Sequence, residues 1–128
     1  MNFKLLLLIV CLVSCVPVRP PEEVSLVTAI TDASARAGEL LAAEYEEQAL
    51  DAVQGAETPE EALQALARVD RLWEPVWGAW IDLREQHDNC IISHDTCDLN
   101  ALAFAWCALE LQAARRNVRV PHILNCVP

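Results

Sequence analysis

The chain has 128 residues, of which 54% are hydrophobic, and 19 acidic side chains against nine basic ones give a formal net charge of −10. A chain of this length suits one small domain. Because so acidic a surface repels phosphate polymers and anionic headgroups, we expect no nucleic-acid partner and no polybasic contact with a membrane.

The N-terminus has the pattern of an export signal. One cation, Lys4, precedes an unbroken apolar run at 5–13. A positive residue followed by about 7 to 15 apolar residues is typical of a secretory signal peptide, whereas a membrane-spanning helix needs about 20. The sequence therefore predicts export.

The end of this run, Leu12-Val13-Ser14-Cys15, resembles the lipobox of bacterial lipoproteins. The resemblance implies diacylglyceryl transfer to the thiol of Cys15, cleavage before it, and acylation of the new amino group by a fatty acid such as palmitate. Val16 follows instead of Asp, which implies sorting to the outer membrane, facing the periplasm. The alternatives are an ordinary signal peptide cut near Ser14 or Cys15 and an uncleaved signal anchor. More than one acyl chain makes attachment stable.

Cleavage before Cys15 leaves eight arginines against 19 acidic residues, a formal net charge of −11, because Lys4 is the only lysine. The next residues, VPVRPP, contain three prolines and predict a stiff spacer. We therefore divide the chain into a signal peptide at 1–14, a lipid-anchored cysteine and spacer at 15–21, a helical bundle at 22–117 and a tail at 118–128.

The segment at 22–53 predicts a first helix, with Glu22 and Glu23 in its first turn and Gly55 after its end. Its apolar stripe repeats every three or four residues. The stripe consists of Leu26, Ile30, Ala33, Ala37, Leu41, Tyr45, Ala49 and Ala52.

The second helix has a strong start signal at TPEE. Thr58 can accept from the backbone N–H of Glu61, the Glu61 carboxylate can reach back to Thr58, and Pro59 suits the first turn. A proline at 75 predicts a kink or a break. The apolar stripe consists of Ala62, Leu66, Val69, Trp73, Val76, Trp80, Leu83 and His87.

The third helix is predicted at 98–117, with Asp95 or Asp98 as its cap. It is apolar on most sides, so we expect it to be the most buried of the three. The fold class is therefore all-α, a three-helix bundle in which a long antiparallel hairpin is joined by a shorter third helix. Residues 68–88 also loosely resemble helical stretches in small proteins of bacteria and their phages, a likeness that names no activity.

An exported and lipidated chain keeps four thiols for pairing: Cys90, Cys97, Cys107 and Cys126. Ten residues of helix separate Cys97 from Cys107 by about 15 Å, too far for a disulfide. A Cys97–Cys126 bridge would need a fully extended tail. We predict Cys90–Cys97 and Cys107–Cys126.

The stretch HDNCIISHDTC contains His-Asp-x-Cys twice. The alternative to a disulfide is a metal site formed by His87, Cys90, His94 and Cys97. Six residues separate each like pair, whereas zinc ligands are commonly two to five residues apart, and oxidation consumes thiolates. A resemblance to metal-dependent phosphohydrolases with adjacent His and Asp lacks the further ligands, since only His122 remains. We expect no metal and no other cofactor.

Trp73, Trp77, Trp80 and Trp106 are concentrated in one half of the domain. The simpler interpretation is a core where the second and third helices meet. The alternative is an exposed patch in which Trp73, Trp77 and Trp80 form an interface.

The sequence contains no GxSxG, HExxH or phosphate loop, so we expect neither catalysis nor a small-molecule substrate. The resulting hypothesis is an accessory or exclusion-type lipoprotein, of bacterial or phage origin, that acts by binding an envelope protein or by steric presence. A metal-binding protein and a structural envelope or lysis component are the alternatives.

Overall fold

The computed structural model describes residues 19–126, and the predicted signal peptide, the lipidation of Cys15 and most of the spacer lie outside this range. Three helices follow in order: α1, Pro21–Gln54; α2, Pro59–Ile92; and α3, Leu99–Arg115. No strand occurs in the described range. The all-α three-helix architecture is confirmed, and the bounds of α1 and α3 and the start of α2 lie within two residues of those predicted.

The first turn of α2 is capped as expected, with one difference. The hydroxyl of Thr58 accepts from the N–H of Glu61 at 3.2 Å. The carboxylate of Glu61, however, accepts from the N–H of Glu57 at 3.0 Å and not from that of Thr58. At α3, the capping residue is Asp98, which accepts from the N–H of Ala101 at 3.1 Å. Both caps satisfy donors that a helix start leaves without partners.

Of the kink or break expected at Pro75, the break does not occur, because α2 continues through this position as one helix. Pro75 is at an exposed position, while Trp73 and Val76 beside it are buried. Packing of the apolar stripe on both sides of the proline stabilises the helix across the missing hydrogen bond.

The core occupies only one end of the α1–α2 hairpin. The last buried residue of α1 is Leu41 and the first of α2 is Trp73, so none of the residues at 42–72 is buried. The shorter α3 packs on the other part of the hairpin, mainly against α2. We call the part covered by α3 the clamped end and residues 42–72 the tip.

The chain turns back after α3 at Asn117, which has a φ of 65°. Asparagine tolerates this left-handed conformation, and the N–H of Val118 bonds to the carbonyl of Ala113, as in a Schellman-type helix end. Val118 and Val120 are buried, so the tail is held against the bundle.

Both predicted disulfides are present. Cys90 and Cys97 close the link from α2 to α3 with Cα atoms 4.0 Å apart. Cys107 in α3 is joined to Cys126 in the tail, with Cα atoms 5.3 Å apart.

Candidate functional site

The repeated His-Asp-x-Cys stretch lies at the clamped end and holds elements together. Cys90 is fully buried and its sulfur is bonded to that of Cys97. Neither sulfur is therefore a thiolate that could ligate a metal. Among residues 19–126, no group of three or more His, Cys, Asp or Glu side chains has the arrangement of a metal site.

His87 belongs to the α2 stripe and is buried against α1. Its Nε2 lies 2.8 Å from the hydroxyl of Thr31. That hydroxyl donates its single proton to the carbonyl of Val27, so Nε2 of His87 must be the donor in this pair. Burial lowers the pKa of His87, Asp88 opposes this shift, and Arg84 adds to it. A histidine that donates through Nε2 to this hydroxyl cannot act as its base.

His94 connects the α2–α3 link to the start of α1. Its Nδ1 lies 2.6 Å from Oε2 of Glu23, and the Glu23 side chain is 1% exposed. The other oxygen of Glu23 has no hydrogen-bond partner among the described residues. His87 and His94 thus each contact a different residue of α1 and do not converge on one centre.

The tryptophans of α2 contact α1, a neighbour that the expectation of a core between the second and third helices did not include. Tyr45 of α1 packs edge-on against Trp73 and Trp77, with ring centroids 5.5 and 5.7 Å away. A Cβ at Gly38 would lie 3.2 Å from the Trp80 ring, so glycine at this position leaves room for it.

Trp73 cannot belong to an exposed interface, because it is fully buried. Its indole N–H donates to Oε1 of Gln48 at 2.8 Å. Trp77 and Trp80 are partly buried and pack against the core, and Trp106 of α3 is fully buried. Three of the four tryptophans therefore contact α1, and the fourth is a core residue of α3.

The described surface has an apolar groove that sequence reasoning missed. It has a volume of about 750 Å³ and lies between α3 and the end of the tail. Phe104 is 76% exposed and Leu111 54% exposed on its α3 wall. The Cys107–Cys126 disulfide joins the two walls. We call this feature the α3–tail groove.

The third helix is the most buried of the three, as expected, with five of its 17 residues buried against six of 34 in α1 and five of 34 in α2. One face of α3 is fully buried and carries Leu102, Trp106 and Leu109. The opposite face, with Phe104 and Leu111, is apolar but open to solvent. The sequence contained a signal for this exposed face. A short helix that is apolar on most sides has more apolar surface than one neighbouring hairpin can cover.

The edge of the groove is polar and carries an ordered contact. Oε1 of Glu110 lies 3.0 Å from Nδ1 of His122, which ties the tail to α3.

A second cleft, of about 570 Å³, lies between α1 and α2 at the tip and includes the charged residues Asp51, Glu61 and Arg68. The α3–tail groove is the more apolar of the two.

None of the described helices combines the length and the hydropathy that crossing a membrane requires. Comparisons with protein-family models, curated proteins and solved structures gave no match to this chain.

Proposed function

We propose that the chain is a small lipid-anchored protein of the bacterial envelope that acts by binding another protein or by steric presence, without catalysis. The proposal combines the lipobox-like residues at 12–15 with the α3–tail groove. The groove is the observation that carries the binding function, because exposed apolar surface of this kind marks interaction sites.

The domain's first described residue indicates how an anchor would orient it. The guanidinium of Arg19 donates to the carbonyl of Ile91 at 3.3 Å, at the clamped end. Cys15 is four residues earlier, and four extended residues span at most about 14 Å. A lipid on Cys15 would therefore keep the clamped end close to the bilayer.

The contacts of the polar residues support a non-catalytic role. His87 donates to Thr31, His94 contacts the buried Glu23, and His122 contacts Glu110. Each histidine has a role in holding two segments together, and the proposal assigns none of them to a reaction.

Mass spectrometry of the N-terminal peptide tests the anchor. We expect a peptide that begins at Cys15 and carries acyl chains, and we expect Cys15→Ala to release the protein from membrane fractions. The matched control is Cys11→Ala, which leaves the predicted cleavage site intact. An unprocessed N-terminus on a cytosolic protein with reduced thiols would refute the proposal.

A further inference from the structure

The residues that form and flank the α3–tail groove differ in charge from the rest of the chain. Residues 99–126 contain three arginines and one acidic residue, Glu110. Residues 19–98 contain five arginines and 18 acidic residues. Of these two segments of a strongly acidic protein, the apolar groove therefore lies on the basic one.

Arg115 lies at the C-terminal end of the exposed apolar face of α3, and Arg119 follows the turn after this helix. Arg115 follows Leu111 by four residues, which puts both on the same face of α3. Arg115 and Arg119 are exposed, and neither forms an ion pair within residues 19–126. Their charge is available to a partner that lies along the groove.

We propose that the α3–tail groove binds an amphipathic helix of a separate protein, with an apolar stripe in the groove and acidic side chains beside Arg115 and Arg119. This inference rests on the proposed binding function and specifies its partner class. Because opposite charges favour encounter and like charges disfavour it, arginines beside an apolar groove favour an acidic occupant.

The shape of the groove favours a helix over an extended strand. Its α3 wall runs from Ala103 to Ala114, about 16 Å at the helical rise, which matches about three turns of a bound helix. The walls are a helix and an irregular tail, and the described chain has no strand to which an extended peptide could be added. Side chains spaced three and four residues apart can occupy such a groove.

The test is photo-crosslinking with the full-length protein in intact bacterial cells. A photoreactive amino acid replaces Phe104 in the groove, Leu63 at the tip, or Ile81 on α2, all of which are exposed. Adducts are quantified and the crosslinked segment of the partner is mapped by peptide mass spectrometry. We expect a protein adduct at position 104 whose mapped segment has net negative charge and apolar residues at helical spacing.

Charge reversal provides the decisive comparison. We expect Arg115→Glu with Arg119→Glu to reduce the adduct at position 104 at least fivefold, because the reversed charges repel an acidic segment. Arg68→Glu with Arg71→Glu is the matched control, with the same change in charge at exposed positions of α2, and should leave the yield unchanged. Neutral Arg115→Gln with Arg119→Gln should give an intermediate loss, and circular dichroism with thiol counting verifies that each variant is folded.

Several outcomes would overturn the inference. These are a neutral or basic mapped segment, a lipid adduct, a crosslink to residues 1–18 of the same chain or to a second copy, and a yield that does not respond to charge reversal. Protein adducts at Leu63 or Ile81 without one at Phe104 would overturn it while leaving the proposed binding function intact. If none of the three positions gives a protein adduct, the inference and the binding function both fail, and only steric presence remains.

Discussion

The two parts of the hairpin consist of the same two helices but are stabilised differently. At the clamped end, α3 and two disulfides surround fully buried residues such as Ile30, Leu83 and Trp106. At the tip, the same helices have no buried residue. Since burial of apolar surface is the main source of stability, most of the folding free energy must come from the clamped end. The α3–tail groove also lies there.

The largest effect expected from this difference concerns a leucine of α3 that packs at the clamped end and a leucine of the tip. Leu102 is fully buried, whereas Leu66 in the tip is only partly buried. We expect Leu102→Ala to lower the free energy of unfolding by about 3 kcal/mol and Leu66→Ala by about 1 kcal/mol. Urea unfolding followed by circular dichroism measures both. Equal losses would show that the tip contributes as much as the core.

The disulfides give the second test. Replacing both Cys107 and Cys126 by Ser should cost about 3 kcal/mol, and replacing both Cys90 and Cys97 by Ala about 2.5 kcal/mol, because the first pair closes the longer loop.

The two disulfide variants should also differ in the region of the protein that becomes less protected. Loss of the Cys107–Cys126 bridge should increase amide hydrogen exchange in the tail and open the α3–tail groove, while exchange at residues 42–72 stays unchanged. Faster exchange in the tip in either variant would contradict the division of the hairpin into two regions.

Gln48 marks the boundary between the regions and gives the third test. Its amide oxygen accepts from the Trp73 indole, and its amide nitrogen donates to the carbonyl of Arg116 at 3.1 Å. We expect Gln48→Ala to cost about 2 kcal/mol, because the buried indole N–H loses its acceptor. The control is Gln54→Ala, an exposed residue at the end of α1. A Gln48→Ala loss no larger than that of the control would show that the junction does not depend on this residue.

Periodicity and helix geometry were sufficient for most of the fold. The 3.6-residue repeat identified the buried stripes, Thr58 fixed the start of α2, and the rise per residue excluded the wrong cysteine pairings. These features are local or depend on distances along one helix. They could therefore be read from a single sequence.

Contacts between distant residues could not be predicted in this way. Glu23 and His94 are 71 positions apart, and no pattern pairs them. Periodicity groups residues by helix face but does not say which neighbour each face meets, so the contacts of the α2 tryptophans with α1 were not expected. For the same reason the exposure of Phe104 was missed, because an apolar residue on a short helix was expected to find a partner.

The smallest expected effect is a pH dependence confined to the clamped end. Burial lowers the pKa of His87 in the folded protein below its ordinary value of 6.5, so the unfolded chain binds a proton more readily. The stabilising effect of neutral His87 is therefore complete above about pH 6.5. It is lost as the pH falls through the lower folded-state pKa.

His87→Gln retains a donor for Thr31 and should reduce the decline in unfolding free energy between pH 7 and 5. Asp88→Asn, at an exposed neighbouring position, is the control. Because Asp88 opposes the shift, removing its charge should leave the decline in place or steepen it, and a decline that persists unchanged in His87→Gln would assign the pH dependence to other groups.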